Sequence, residues 1–347
     1  MGEFVHYRSM DDLNRTIQGY VGLLPREVDL VVGIPRSGLL AANLISLALN
    51  LPLADLDGYL EGRILSSGKT RRKESFDWPA HAFKCVLIVD DSTRTGAAMR
   101  EARSKIAAAG LLDRCLFVTV YGPEKDVVEL DIVMERVPEP RVFQWNIMNH
   151  VILERCCFDI DGVLCLDPTA DENDDGSKYA AFLSSARPLF LPGRRVAHLV
   201  TSRLERYRPE TEAWLAANEI SYGKLWMLNA PTAEERRRLN AHGAFKAEVY
   251  RHVDAQLFVE SEDRQAVEIA RLSGKPVLSI ETQSLVLPET HLNHSERMRR
   301  RAIRLREQSS SERRGWRRSL KRAIRRLLGD NIANKLRRTR WRAKVSS

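Results

Sequence analysis

Two pairs of aspartates draw the eye, because each follows a run of apolar residues that reads as a strand. Asp90 and Asp91 end the run CVLIVDD at 85–91, and Asp159 and Asp161 lie in CFDIDGVLC at 157–165. Adjacent acids at a strand end suit vicinal hydroxyls or a Mg²⁺ ion. Behind the first pair comes a turn holding Thr93, Arg94, Thr95, Gly96 and the small Ala97 and Ala98, which opens a helical stretch. Small residues there let backbone N–H groups approach an anion, and a helix N-terminus adds a favourable dipole. Such a turn suits a phosphate. In the second pair the acids are two residues apart, and a turn at Gly162 can rotate the second one into play.

Carboxylates can be placed this way only by strands that end on a common edge. VDLVVGI (28–34), LPLADL (51–56), CVLIVDD (85–91), CLFVTVYG (115–122) and LDIVME (130–135) read as buried strands, with helical periodicity over 38–49 and 96–110. A second series comprises RCCFDIDGVLC (155–165), RVAHLVTSR (195–203), AQLFVES (255–261) and KPVLSI (275–280). Apolar runs alternating with helices predict parallel sheets with crossover helices, so the fold class is α/β. The chain of 347 residues fits two such units, joined near 143–153.

The net charge of +9 is unevenly spread. From 294 to the end there are 20 Lys+Arg against 4 Asp+Glu, and the preceding 293 residues carry 35 against 42. A mildly acidic body thus bears a basic tail, which calls for an acidic surface as partner. No apolar run approaches the ~18 residues of a membrane-spanning helix. The N-terminus lacks a signal-peptide pattern. Five scattered cysteines without zinc-type spacing read as reduced thiols of a cytosolic protein.

The segment VLIVDDSTRTGAAMREA (86–102) resembles the phosphoribosyl-diphosphate (PRPP) motif of the type I phosphoribosyltransferases. The resemblance implies that Asp90 and Asp91 grip the ribose 2- and 3-hydroxyls and that Thr93, Arg94, Thr95, Gly96 and Ala97 line the 5-phosphate loop. VGIPRSGLLAA (32–42) is similar to the pyrophosphate loop, where Pro35, Arg36, Ser37 and Gly38 supply amides and a cation. GRILSSGKTRRKESFDW (62–78), with Lys69, Arg71, Arg72 and Lys73, lies where that family carries a mobile loop over the leaving pyrophosphate. Purine-using members usually place an acid at the position of Arg94, and an arginine, always protonated, cannot exchange a proton with the base. That argues against a purine acceptor.

CFDIDGVLC resembles the first motif of the haloacid dehalogenase (HAD) superfamily of phosphatases. The resemblance implies Asp159 as nucleophile and Asp161 as general acid/base. It also implies Thr201, in HLVTSR, orienting a phosphoryl oxygen, and Lys246, in AFKAEVY, neutralising nucleophile and phosphate. Mg²⁺ ligands are expected from Asp159, Asp161 and Glu260, with a further acid from Glu262 or Asp263, the latter being preferred. The 41-residue interval between the first two motifs leaves no room for a large cap domain.

The expected organisation is therefore two tandem Rossmann-like parallel-sheet domains, a phosphoribosyltransferase domain at 1–150 and a HAD-like domain at 151–293, followed by a basic amphipathic helical tail at 294–347. Transfer of 5-phosphoribosyl followed by loss of its phosphate adds plain ribofuranose, which suits a bacterial surface glycan. The whole resembles phosphoribosyltransferase–phosphatase fusions of glycan biosynthesis. In the tail, Trp316, Leu320, Ile324, Leu327 and Leu328 fall at helical spacing among arginines over 313–341. That pattern suits an anionic membrane surface, implying a cytoplasmic protein peripheral at the inner face. Nucleic acid is the competing partner. Rival readings are a nucleobase (orotate or purine) phosphoribosyltransferase with a fused phosphatase, and a PRPP-sensing regulator that binds nucleic acid.

Overall fold

β1 (His6–Arg8) pairs in parallel with β7 (Arg141–Phe143), His6 opposite Arg141. This short ribbon governs how the chain divides. The computed structural model describes residues 5–65, 82–173, 176–230 and 241–289. They fall into two compact units, one spanning Met10–Pro138, the other running from Glu139 and including the residues up to Ser9. The division falls at Pro138 and Glu139, and the paired β1 and β7 belong together to the second unit.

In the first unit, α1 (Met10–Tyr20) and β2 (Leu30–Gly33) are followed by α2 (Gly38–Leu49), β3 (Leu53–Asp55), α3 (Leu56–Leu60), β4 (Val86–Ser92), α4 (Ala97–Ala108), β5 (Cys115–Gly122) and β6 (Ile132–Arg136). The strands form one sheet in the order β3-β2-β4-β5-β6, every neighbouring pair parallel. Leu30, Val32, Val86, Ile88 and Phe117 pack in one cluster with Met99, Ala102 and Ile106 of α4. The alternate residues Val31, Leu87, Val89, Leu116 and Val118 are buried as well. Burial on both faces is why these strands read as unbroken apolar runs. Strand order reverses between β2 and β4, and at such a switch point the loops diverge and leave a crevice at the carboxyl ends of the strands.

The second unit continues with β8 (Cys156–Phe158), α5 (Ser177–Ser185), β9 (Val196–Leu204), α6 (Arg208–Ala217), β10 (Tyr222–Leu228), α7 (Ala241–His252), β11 (Leu257–Glu260), α8 (Asp263–Ser273), β12 (Val277–Ser279) and β13 (Ser284–Val286). Its sheet runs β10-β9-β8-β11-β12-β13. All neighbours are parallel except β12 and β13. Here the switch point lies between β8 and β11. Both aspartate pairs therefore stand at switch points. Among the described residues no helix is long and apolar enough to cross a membrane. The expected tail at 294–347 and the residues Lys69 and Arg71 lie outside the described residues.

Candidate functional site

β4 delivers Asp90 and Asp91 to the crevice of the first unit, where both are buried. Asp90 Oδ1 accepts from the Asp91 amide at 2.9 Å, and Ser92 Oγ donates to Asp91 Oδ2 at 3.1 Å. Two backbone bonds fix the loops around them. Ile34 N donates to Val89 O at 2.9 Å, and Thr93 N donates to Tyr121 O at 2.9 Å. The first ties the loop after β2 to β4, and the second ties the turn after β4 to β5.

Glycine is required at two points. A Cβ on Gly38 would lie 2.8 Å from Val89 O and 3.0 Å from Asp90 Oδ1, so only glycine lets the start of α2 settle against the acid. Gly96, the residue before α4, has φ +76°, and a Cβ there would meet Glu129 and Val127 at 2.7 Å. Gly38 thus brings the positive dipole end of α2 against Asp90, and the N-terminus of α4 follows the acid pair within six residues. Around them Arg36, Arg94, Thr95 and Ala97 are exposed, Ser37 is half-buried and Thr93 is buried. Arg100 bonds Glu129 and reaches the Thr95 carbonyl at 3.4 Å.

Burial pushes the Asp90 carboxyl up to about 8, and the neighbouring Asp91 carboxylate adds to the rise. Burial beside a second carboxylate thus favours the protonated form of Asp90.

The second unit compensates its own acids. Lys246 of α7 is buried and bonds Asp159 Oδ2 at 2.7 Å, Glu260 Oε2 at 2.8 Å and Gln265 Oε1 at 3.2 Å. Asp159 extends β8 and donates its amide to Val259 O at 3.0 Å, which sets it beside the end of β11. Glu260 Oε1 accepts from the amide and hydroxyl of Ser261. Burial raises the Asp159 carboxyl; Lys246 opposes the rise, and Glu260 and Asp161 add to it. Two buried carboxylates sharing one ammonium explain that direction.

Asp161 has its own cation. Arg203 of β9 donates Nη2 to Asp161 Oδ1 at 2.7 Å, with Nε reaching Oδ1 at 3.2 Å and Oδ2 at 3.1 Å. Burial alone would raise the Asp161 carboxyl, but the facing guanidinium outweighs it and holds the group below the ordinary carboxylate range. Thr201 is buried, and its hydroxyl accepts from the Arg203 amide at 3.2 Å. Gly162, at φ +72°, lets the turn after Asp161 approach Ser261, whose Cβ would stand 2.5 Å from an added Cβ.

The four acids expected to share Mg²⁺ are divided among separate hydrogen-bond sets. Asp159 and Glu260 meet at Lys246, Asp161 is gripped by Arg203, and Asp263 accepts from Thr282 Oγ1 at 3.0 Å while its amide donates to Glu281. Among the described residues no group of three or more His, Cys, Asp or Glu is arranged to hold a metal ion. Each of the four carboxylates expected to hold Mg²⁺ thus has a side-chain hydrogen-bond partner, Lys246 for Asp159 and Glu260, Arg203 for Asp161 and Thr282 for Asp263. Arg203 and Gln265 escaped the sequence reading. The signal for Arg203 was its place two residues after Thr201, on the same face of an extended strand.

Comparison with known proteins bears on the first site. Residues 5–147 match the model of the phosphoribosyl transferase domain family. No curated protein matches the chain. Among solved structures, a Helicobacter pylori xanthine-guanine-hypoxanthine phosphoribosyltransferase is 13% identical over 41% of this chain and 93% of its own, at a TM-score of 0.31. A purine phosphoribosyltransferase from Pyrococcus horikoshii is 20% identical over 41% and 94%, at 0.30. Leishmania donovani UMP synthase is 23% identical over 33% and 23%, at 0.24. The chain carries a phosphoribosyl transferase domain over residues 5–147.

Proposed function

We propose that this protein adds ribofuranose to a glycan acceptor in two steps. The first unit transfers 5-phosphoribosyl from PRPP and releases pyrophosphate; the second hydrolyses the 5-phosphate. The observation that carries the first step is the packing of the Gly38 turn against Asp90 of the buried Asp90–Asp91 pair, with the Gly96 turn following that pair in the chain. Asp90 and Asp91 accept hydrogen bonds from the ribose 2- and 3-hydroxyls. The 93–97 turn and the α4 N-terminus take the 5-phosphate, and Arg36 with the 35–38 amides takes the diphosphate. The C1–O bond to diphosphate then breaks as the acceptor oxygen bonds to C1, and the acceptor hydroxyl's proton leaves with the diphosphate.

The second step rests on the HAD-like order of Asp159, Asp161, Thr201 and Lys246, and on the burial of Lys246 between Asp159 and Glu260. Asp159 attacks phosphorus, Lys246 holds it in line, and Asp161 exchanges the proton of the leaving oxygen. A sugar acceptor is favoured by Arg94, which is exposed beside the phosphate turn and cannot trade a proton with a purine. A lipid-linked acceptor would bring the basic 313–341 segment to an anionic membrane surface at the inner face. Chain ending before 294 should keep both chemistries on soluble acceptors and lose sedimentation with anionic vesicles.

The test is to incubate the full chain with PRPP, Mg²⁺ and a panel of sugar acceptors and free bases, following the products by mass. Plain ribosyl product on a sugar supports the reading. Phosphoribosyl product only on a free base replaces it with nucleobase transfer. Absence of turnover together with tight duplex DNA binding replaces it with a regulator.

A further inference from the structure

The Arg203 side chain is fully enclosed, whereas that of Asp161 keeps 20% of its surface exposed. An enclosed guanidinium cannot touch a substrate and acts through what it holds. What it holds is specific. Nη2 and Nε both bond Asp161 Oδ1, which also accepts from Cys165 Sγ at 3.5 Å, while Oδ2 takes a single bond from Nε. The fork is itself braced, with Nη1 donating to Thr211 Oγ1 at 3.4 Å and Nη2 to Cys165 Sγ at 3.3 Å. A carboxylate has about four lone-pair positions, so Oδ1 is saturated and Oδ2 retains an open one.

We propose that Arg203 is the positioning residue of the second site, saturating Asp161 Oδ1 so that Oδ2 alone exchanges protons with the reacting phosphate ester. This rests on the phosphatase reading above. In the first step the ester arrives as its monoanion, Asp159 bonds to phosphorus, the bond from phosphorus to the sugar oxygen breaks, and Asp161 Oδ2 relays the ester's own proton to that oxygen. In the second, water attacks phosphorus and its proton passes through Oδ2 to the departing phosphate, freeing Asp159 and leaving Asp161 ionised again.

The leaving group reads this out. An alkoxide departs poorly without a proton, whereas p-nitrophenolate needs none. Single-turnover release should be measured on ribose 5-phosphate and p-nitrophenyl phosphate with wild type and Arg203→Lys, since such kinetics isolate the first chemical step. A lysine keeps the charge and loses the fork. Because positioned proton transfer is worth about 10²–10⁴-fold, Arg203→Lys should slow ribose release about 100-fold. Release of p-nitrophenolate should stay within about fivefold, and apparent substrate affinity within about threefold. Asp161→Asn should show the same asymmetry, and adding Arg203→Lys to it should cost nothing further. Thr211→Val, which leaves the charge pair intact, should move ribose release in the same direction by less.

Equal losses on both substrates, or an additive double variant, would make Arg203 structural and overturn the proposal. No turnover of either ester by folded wild type would overturn the phosphatase reading and the proposal with it.

Discussion

Each unit places carboxylates at the switch point of a parallel sheet, yet the two handle the charge in opposite ways. In the first, Asp90 lies buried against a second carboxylate, and it rises to about 8. In the second, Lys246 bridges Asp159 and Glu260, and Arg203 grips Asp161. Ionising a buried carboxyl beside a second carboxylate is costly, and hydroxyls or a cation arriving there offset that cost. A compensated set stands ready without a ligand and suits chemistry on the phosphate itself. The difference separates a binding grip from a reaction centre.

The largest effect should come from the reaction centre. Asp159→Asn removes the nucleophile, and losing a covalent nucleophile costs about 10⁴–10⁶-fold in rate. Dephosphorylation should vanish and the 5-phosphorylated product accumulate, with pyrophosphate release unchanged. Plain ribosyl product at the wild-type rate would remove Asp159 from the mechanism.

Stability tests the charge contrast without any substrate. Lys246→Met strands two buried carboxylates, and breaking a buried ion pair costs about 3–5 kcal/mol. Asp90→Asn instead replaces a buried carboxyl that ionises only at a cost. Because native Asp90 keeps its proton up to about 8 while the unfolded chain releases it near 4, wild-type stability falls as pH rises through that window. Asp90→Asn should escape that fall, gaining on the order of 1–3 kcal/mol by pH 9 relative to wild type. Thermal melts across pH 5–9 decide it. Equal destabilisation by both substitutions would erase the contrast.

Much of this was legible in the sequence, and what was not has physical causes. β5 occupies the CLFVTVYG run residue for residue, and α2 the periodic stretch at 38–49. Strands buried on both faces announce themselves as apolar runs. The edge strand β10 did not, because Gly223 and Lys224 interrupt its pattern with exposed residues. β1 and β7 are three residues each and find one another across most of the first unit, a pairing that no local pattern encodes. At the sites, spacing identified which acids matter, but not their partners. Asp263 stands in the expected segment, yet its carboxylate accepts from Thr282, beyond α8 and β12. Arg203 was invisible as a partner of Asp161 because the two lie 42 residues apart.

Asp91→Asn probes the binding grip. It keeps the shape and removes one charge-assisted acceptor, and hydrogen bonds to charged groups are worth about 1.5–3 kcal/mol. Pyrophosphate release should fall about 10–100-fold, mostly through weaker PRPP binding, while hydrolysis of an added phosphorylated product continues. If the folded variant also loses hydrolysis, the two sites do not act separately and the comparison between them fails.

The smallest effect is a fraction of a proton. With the Asp90 carboxyl near 8, about nine-tenths of ligand-free molecules hold that proton at pH 7. Ribose hydroxyls donating to the pair favour the ionised form, so PRPP binding should expel nearly one proton at pH 6–7 and about a tenth of one at pH 9. Calorimetry in buffers of different ionisation enthalpy counts it, and the difference between wild type and Asp90→Asn removes the protons PRPP itself exchanges. The second site should behave otherwise. Asp161, held ionised by Arg203, has no proton to release when a phosphate ester binds, and Arg203→Lys should leave the PRPP-linked proton count untouched. Binding enthalpy of PRPP that is independent of buffer at pH 7, in a protein that still needs Asp91, would show that Asp90 is already ionised and that the first site, like the second, carries its own compensation.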